Sequence, residues 1–422
     1  MKNLFKIFGF ILFSVIFGGV FSSFTGYSPY LTTPSVAILT FYSSYFVKDK
    51  GLAYASPDLS AISNYAHQFQ RSLITTMING LDIASDIMVI PNIKSSMKLP
   101  KLFVGNGFRP YSGSTEFQSG DVVYTDRELK VAAGKREILI DPEDYRHKYL
   151  SAMLTPGSGA NKKEIPFAQF LWMEVVKNMQ REMNDETAYF GFDKTDAVAY
   201  SGAATYDPGD IITYTQNNVL HYFENLTTTS AGESPDTDPA KWQNVTARAV
   251  TIGLRKIIED EITGASIVEV TTGAIDATAG VASAAFLALF RSFPVPFRRH
   301  GVIIQCSYTD FDFLTDDLVA TQQYTRGDVT TLMMNGMLPL PGTERKCWVK
   351  PATWLGGSRR LIGNPIDMSN ARCMNMYLGT DLLSDTNEIT TKENLWTLEG
   401  GIKVVFGFQI GDLASIKVGD QA

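Results

Sequence analysis

What this sequence lacks is any pattern that carries chemistry. It contains no GxSxG, HExxH, GxxxxGK[ST] or GxGxxG, so the nucleophile elbow, the zinc helix, the phosphate loop and the dinucleotide fingerprint are all missing. Histidine is rare: the 4 residues His67, His147, His221 and His300 are spread one to a region, and only a fold that gathered them would make a triad or a metal centre. Cysteine is rarer still, with 3 residues, Cys306, Cys347 and Cys373, widely spaced and without a CxxC pair. That spacing indicates neither a disulfide framework nor a zinc knuckle; the three read as small buried hydrophobes. Charge is also scarce, at 19% of residues, where roughly 25% is usual for soluble domains. The 37 Lys and Arg are outnumbered by 44 Asp and Glu, for a net charge of -7, which argues against a protein whose main work is neutralising nucleic-acid phosphates.

Two charged groupings stand out. Asp310, Asp312, Asp316 and Asp317 have no turn glycine and no bidentate glutamate at a loop end, so they read as solvated helix-capping carboxylates rather than calcium ligands or an acid/base pair. Arg298 with Arg299, and Arg359 with Arg360, suit a phosphate or an acidic neighbour, and salt bridging at a subunit seam is the preferred reading. No catalytic residue, cofactor or metal ligand is expected, and no pair among the acidic residues marks a glycosidase.

What is present is apolar. Of 422 residues, 45% are hydrophobic and 12% aromatic, with 26 Phe and 18 Tyr. This length suits about two to three folded units, and so much apolar surface with so little charge points to extensive contacts between copies. The N-terminus has three open readings. Lys2 and Lys6 precede an apolar run from Ile7 to Phe21 and then Ser22 and Ser23, which resembles a secretory signal peptide. No charge follows until Lys48, so a membrane anchor is a second reading, weakened by Gly9, Gly18 and Gly19. An extended arm buried in a neighbouring subunit is the third.

From Gly51 the pattern is that of a folded chain. Leu59, Ile62, Tyr65, Phe69, Leu73 and Met77 mark an amphipathic helix within 58–84, and Ile87 to Ile93 reads as a strand. Within Asp121 to Ile140, VVYT, RELKV and REILI are separated by Asp126 and by Gly134-Lys135, which reads as a long polar hairpin with little core of its own. Pro166 opens a helix running to about Ala188. A third helix spans Val245 to Gly264, where the glycine is free to take a left-handed cap. A further helix lies within Ala277 to Phe293, between IVEVTT and GVIIQCS; RKCWVK, ARCMNMYLG and GIKVVFGFQ are later strands. The fold class is α+β with a mixed or antiparallel sheet.

The hairpin, then "IPFAQFLWMEVVKNMQREMNDETAYFG", "ARAVTIGLRKIIEDEITGASIVEVTTGAI" and "VIIQCSYTDFDFL", resemble in their order the major capsid proteins of tailed phages, which have the HK-ninety-seven fold. "PLPGTERKCWVKPATWLGGSRRLIGNP" and "NMYLGTDLLSDTNEITTKENLWTLEGGIKVVFGFQIG" resemble the closing strands of that family. The resemblance spans about Asp58 to Asp412. It implies an N-terminal arm at 1–56, the start of the peripheral domain with the extended E-loop at 57–165, a spine helix at 166–202, an inserted small β domain at 203–245, and the axial domain with closing peripheral strands at 246–422. It implies a structural protein of the virion, assembled in the host cytoplasm, whose hexamers and pentamers close an icosahedral shell around double-stranded DNA without sequence-specific binding. Its partners are then its own copies, a portal, and other capsid or scaffolding proteins.

The segment "YDPGDIITYTQNNVLHYFENLTTTSAGESPDTDPAKWQNV" interrupts that pattern and resembles a small carbohydrate-binding module of the chitin-binding type. Gly-Asp precedes a short strand, Asn217-Asn218 reads as a turn, and an aromatic strand at Tyr222-Phe223 is followed by a Ser/Thr/Gly/Pro tract ending at Trp242. Three short strands are expected. Tyr214, Tyr222 and Trp242 are the glycan-binding candidates, because an aromatic plane stacks on the C–H face of a sugar ring; the opposing reading makes Tyr222 and Trp242 the module's own core. The rival class is a secreted or membrane-anchored surface protein that carries this module.

Overall fold

The computed structural model describes residues 59–104, 122–141, 166–355, 361–367, 372–381, 388–394 and 397–420. The apolar N-terminal run, His147, Arg359 and Arg360 lie outside the described residues. Contacts divide the chain into two units, 1–58 with 141–167 and 59–140 with 168–422.

Helix α1 (Leu59–Asn79) and the short helix α2 (Asp82–Asp86) lead into strands β1 (Met88–Ile90), β2 (Ser96–Val104), β3 (Val122–Lys130) and β4 (Ala132–Ile140). Helix α3 (Pro166–Glu182) continues through a π-turn, Met183–Thr187, into a final α-turn ending at Phe190. Strands β5 (Val198–Ala199), β6 (Ile211–Gln216), β7 (Val219–Asn225) and β8 (Trp242–Asn244) form a small sheet of their own. Then come α4 (Leu254–Thr263), β9 (Glu269–Thr271), α5 (Val281–Ser292), α6 (Val295–His300), β10 (Val302–Cys306), α7 (Tyr308–Ala320) and α8 (Arg326–Leu332). Strands β11 (Leu338–Pro339), β12 (Cys347–Pro351), β13 (Leu361–Asp367), β14 (Arg372–Cys373), β15 (Met376–Thr380), β16 (Glu388–Glu393), β17 (Leu398–Ile410) and β18 (Lys417–Asp420) complete the chain.

Two larger sheets organise these elements. In the first, β17 pairs with β4, β16 and β15, and β15 pairs in parallel with β1. Its inner face meets α3: the buried Trp172 donates its indole N–H to the Ile62 carbonyl of α1 at 3.2 Å, and its ring lies 3.0 Å from where a Cβ on Gly400 would stand. The second runs β11-β12-β10-β13-β18-β9, with β14 on β13. Its core joins Val302, Ile304 and Cys306 of β10 to Phe286 and Phe290 of α5 and to Leu314 and Leu318 of α7. Asp317 reaches from α7 to accept the backbone N–H groups of Gly280 and Ser283, so α7 caps the N-terminus of α5. A buried ion pair joins α2 to β12: Lys350 Nζ lies 2.6 Å from Asp86 Oδ1, and Trp354 Nε1–H donates to Asp86 Oδ2 at 2.8 Å.

Several expectations change. The hairpin within 121–140 does not form: β3 pairs with the upstream β2 and β4 with β17. Val131 N–H donates to Ser95 O at 3.0 Å, so β3 and β4 are one bent strand that changes partner at that point, and Gly134-Lys135 is not a turn. The first helix stops at Asn79, its last turn closed by Gly80 N–H donating to Thr76 O at 2.9 Å, and the chain resumes as α2. The third helix begins at Leu254 rather than Val245. Just before it, Gly253 N–H donates to Gly191 O at 3.0 Å, and a Cβ on either glycine would strike the other's backbone. Gly264 has φ −75° and is not left-handed; Ala265 takes that role at φ 58°. The bonds Ser266 N to Glu261 O and Ala265 N to Ile262 O make the cap a Schellman motif one residue later. Helices α6, α7 and α8 stand where mainly strands were expected. Asp310 and Asp317 are buried caps rather than solvated ones.

Candidate functional site

Strands β2 and β3 pair over nine residues, from Ser96 opposite Lys130 to Val104 opposite Val122. At the base Leu129 is fully buried and Arg127 bonds Glu261 at 2.6 Å, which anchors the ribbon. Lys101 bonds Asp412 at 2.5 Å, and beyond it the tip has no such support among the described residues. Leu102 (60% exposed) stands opposite Tyr124 (66%) on one face, and Phe103 (58%) stands opposite Val123 on the other. Successive residues of a strand point to opposite faces, so this end is apolar on both sides. Neither outer edge is paired with another strand among the described residues.

The first sheet also has an open face. On it Leu139 is 68% exposed, and a trough of about 520 Å³ runs over Gly401 between Glu137, Leu139, Thr390, Lys392 and Glu399. Its carboxylates are engaged, Glu137 with Lys135 at 2.6 Å and Glu399 with the Asn394 amide at 2.7 Å.

In the small sheet, Asn217 and Asn218 have φ of 51° and 63°, which makes the turn expected there a type I′ turn between β6 and β7. The sheet has four strands, since β5 adds in parallel to β6. Register separates the three aromatic candidates. Tyr214 and Trp242 share a face with Ile212 and Phe223, whereas Tyr222 points the other way, against Phe192, Val245 and Ala249. Trp242 is 5% exposed and packs edge-on against Tyr206 at 5.5 Å and Tyr200 at 6.5 Å. The three rings therefore do not make one stacking platform, and Trp242 is core. Tyr214 is half-buried; its hydroxyl donates to Asp236 Oδ2 at 2.6 Å, and that bond pushes its pKa up. Gln216 Nε2 donates to the other oxygen, Asp236 Oδ1, at 2.8 Å. Arg248 fastens the sheet to its surroundings: it bonds Glu224 on β7 and Glu186 in the π-turn and lies over the Phe190 ring, 5.0 Å from its centre.

The remaining polar groups stay apart. His67 Nε2 is 2.9 Å from Thr391 Oγ1, His221 touches Asn244 and Thr246 at 3.5 Å, and His300 ends α6. All three cysteines are buried and free. Among the described residues no group of three His, Cys, Asp or Glu side chains is placed to hold a metal ion, and no helix is long and apolar enough to cross a membrane.

No protein-family model matches the chain, and no curated protein matches it. Among solved structures it is similar to the satellite phage P4 procapsid including size determination (Sid) protein, at 12% identity and a TM-score of 0.43, covering 83% of this chain and 99% of that one. It is similar to the capsid of Myoviridae phage XM1 at 11% identity and a TM-score of 0.42, covering 81% and 91%. It is also similar to the capsid of an empty GTA particle at 10% identity and a TM-score of 0.40, covering 81% and 90%.

β2 is an element that the sequence reading missed. Its proline, Pro100, argues against a strand, yet it sits in a two-stranded ribbon where a missing N–H can face solvent.

Proposed function

We propose that this chain is a structural subunit of an icosahedral capsid shell, self-assembling through hexamers and pentamers around the double-stranded DNA of a tailed phage, in the HK-ninety-seven manner. The observation that carries the reading is the β2–β3 ribbon, whose exposed Leu102, Phe103 and Tyr124 lie on both faces. A two-stranded ribbon cannot bury two apolar faces by itself; a neighbouring copy can cover them. The open face of the first sheet, where the exposed Leu139 borders a trough lined largely by polar residues, offers a surface on which such a ribbon can lie. The element order adds support: ribbon, long helix α3 and then the second sheet follow the sequence order of that family. Portal and scaffolding proteins are the expected further partners, and the role is structural rather than enzymatic.

The test is electron microscopy with light scattering on the expressed chain, with and without residues 1–50, together with intact mass. Closed shells, tubes or capsomer rings are expected. A monodisperse monomer trimmed near Ser22 to Ser28 would instead favour a secreted or anchored surface protein.

Carbohydrate recognition by the insertion is a second reading. It is favoured by the half-buried Tyr214 ring beside the Asp236 carboxylate and the Gln216 amide, groups of the kind that orient sugar hydroxyls. Tyr214→Ala should abolish binding to bacterial polysaccharide, with circular dichroism checking that the chain still folds; undiminished binding by the folded variant would remove the reading.

A further inference from the structure

The charge of this chain is unevenly placed. Residues 203–245 hold six carboxylates, Asp207, Asp210, Glu224, Glu233, Asp236 and Asp238, against Lys241 alone, a net of -5 out of the chain's -7. Glu224 and Glu233 are paired with Arg248 and Lys241. Asp207, Asp210, Asp236 and Asp238 form no ion pair among the described residues, and Asp207, Asp210 and Asp236 are exposed.

The opposite charge collects at one end of the second sheet. Helix α6 ends in Arg298, Arg299 and His300. The turn before β12 adds Arg345 and Lys346, and it abuts the end of α6, since Val302 N–H donates to Lys346 O at 2.8 Å. Arg299, His300, Arg345 and Lys346 are exposed. The same turn carries one carboxylate, Glu344. None of the five basic groups forms an ion pair among the described residues. Glu344 and Arg345 both take positive φ, 53° and 58°, which presents them on a tight I′-like bend.

Two oppositely charged surfaces of one chain, each left without partners, are what a head-to-tail contact between copies uses. We propose that the acidic small-sheet module of one copy docks on the basic end of the second sheet of a neighbouring copy. This rests on the shell reading above and names one of its seams. It also gives Arg298 and Arg299 an occupant: an acidic surface of a second copy.

The experiment is a charge swap in the full chain. Arg299→Glu with Lys346→Glu reverses the basic end. Asp207→Lys with Asp238→Lys inverts two of the module's charges and takes its net from -5 to -1, at side chains whose carboxylates hold no hydrogen bond in the fold. Each pair alone should lower the fraction of chain sedimenting as particles at least ~tenfold, because the attraction across the seam is then largely removed. The four substitutions together should recover part of that loss, because the introduced lysines then face the introduced glutamates. Thermal melting of the unassembled subunit, unchanged in every variant, separates lost docking from lost folding. Normal assembly by either pair, or no recovery in the combined variant, overturns the proposal. A basic-end variant that assembles normally but no longer retains DNA also overturns it and assigns the patch to phosphate. A starting chain that forms no particles removes the shell reading, and this seam with it; particles indifferent to the swap remove the seam alone.

Discussion

Gly407 sits on β17 where the bent strand β3–β4 crosses the first sheet, and a Cβ there would overlap the Lys130 carbonyl oxygen. Backbone cannot step aside as a flexible side chain can, so Gly407→Ala should cost about 2–3 kcal/mol, read as a fall in the melting temperature of the unassembled subunit. The Asp86–Lys350 pair is a second sensitive point. Lys350→Met leaves a buried carboxylate with only the Trp354 and Ser85 donors, and removing one partner of a buried pair costs about 3–5 kcal/mol. Adding Asp86→Asn should recover most of that loss; a double variant as unstable as the single one would contradict the electrostatic account. The thiols give a pH test. Burial raises the pKa of Cys306 and Cys347 and pushes Cys373 up to about 12, whereas an unfolded thiol ionises near about 8.5. The folded state thus favours the neutral thiol, and its contribution is complete below that value and lost as pH rises above it. At pH 8 a disulfide reagent should leave all three native cysteines unmodified and label all three in denaturant.

At the scale of elements, the ribbon yields the most direct test. Leu102→Ser with Tyr124→Ser changes exposed residues, so subunit stability should move by less than about 0.5 kcal/mol, while particle formation should be lost. Unchanged assembly would mean that the exposed faces are not an interface. The ribbon also shows how far the sequence could be read. Periodicity located β3 and β4 as extended chain, but strand pairing is non-local, and Val131 bends the strand without a glycine, proline or Asn-Gly to mark it. The helix α3 was legible from Pro166 and its apolar face, whereas the π-turn after it depends on tertiary bonds: the buried Asn184 accepts from Ile83 N–H at 3.2 Å and donates to Thr353 at 3.0 Å. Helices α6 to α8 were hidden because their short apolar runs adjoin genuine strands, where helix and strand patterns are hard to tell apart. In the small sheet, the Asn217-Asn218 turn followed from local chemistry. The sides taken by Tyr214, Tyr222 and Trp242 followed from register, which a one-residue slip would invert.

For the whole molecule, the decisive question is whether the small sheet is an independent attachment or part of the assembled seam. Its two stems meet: Phe192 N–H donates to Arg248 O at 3.1 Å, so residues 194–246 leave and rejoin the fold at one point. A loop between adjacent ends costs little to shorten, and the excised chain, closed by a short Gly-Ser linker, should still fold. The penalty is confined to the junction, where Phe192 loses Tyr222 and Val245 as packing partners and Arg248 keeps Glu186 but loses Glu224. About 1–3 kcal/mol covers that loss, a drop of a few degrees in melting temperature for a chain of this size. If the module served only to decorate the surface, the excised chain would assemble as before. If it docks on the basic end of a neighbour, assembly should fall as far as with the charge-altered module, and high salt should weaken the intact chain in the same direction by screening the seam. A folded, excised chain that builds normal particles at low salt would therefore strike out the module as a seam and leave subunit contact to the ribbon.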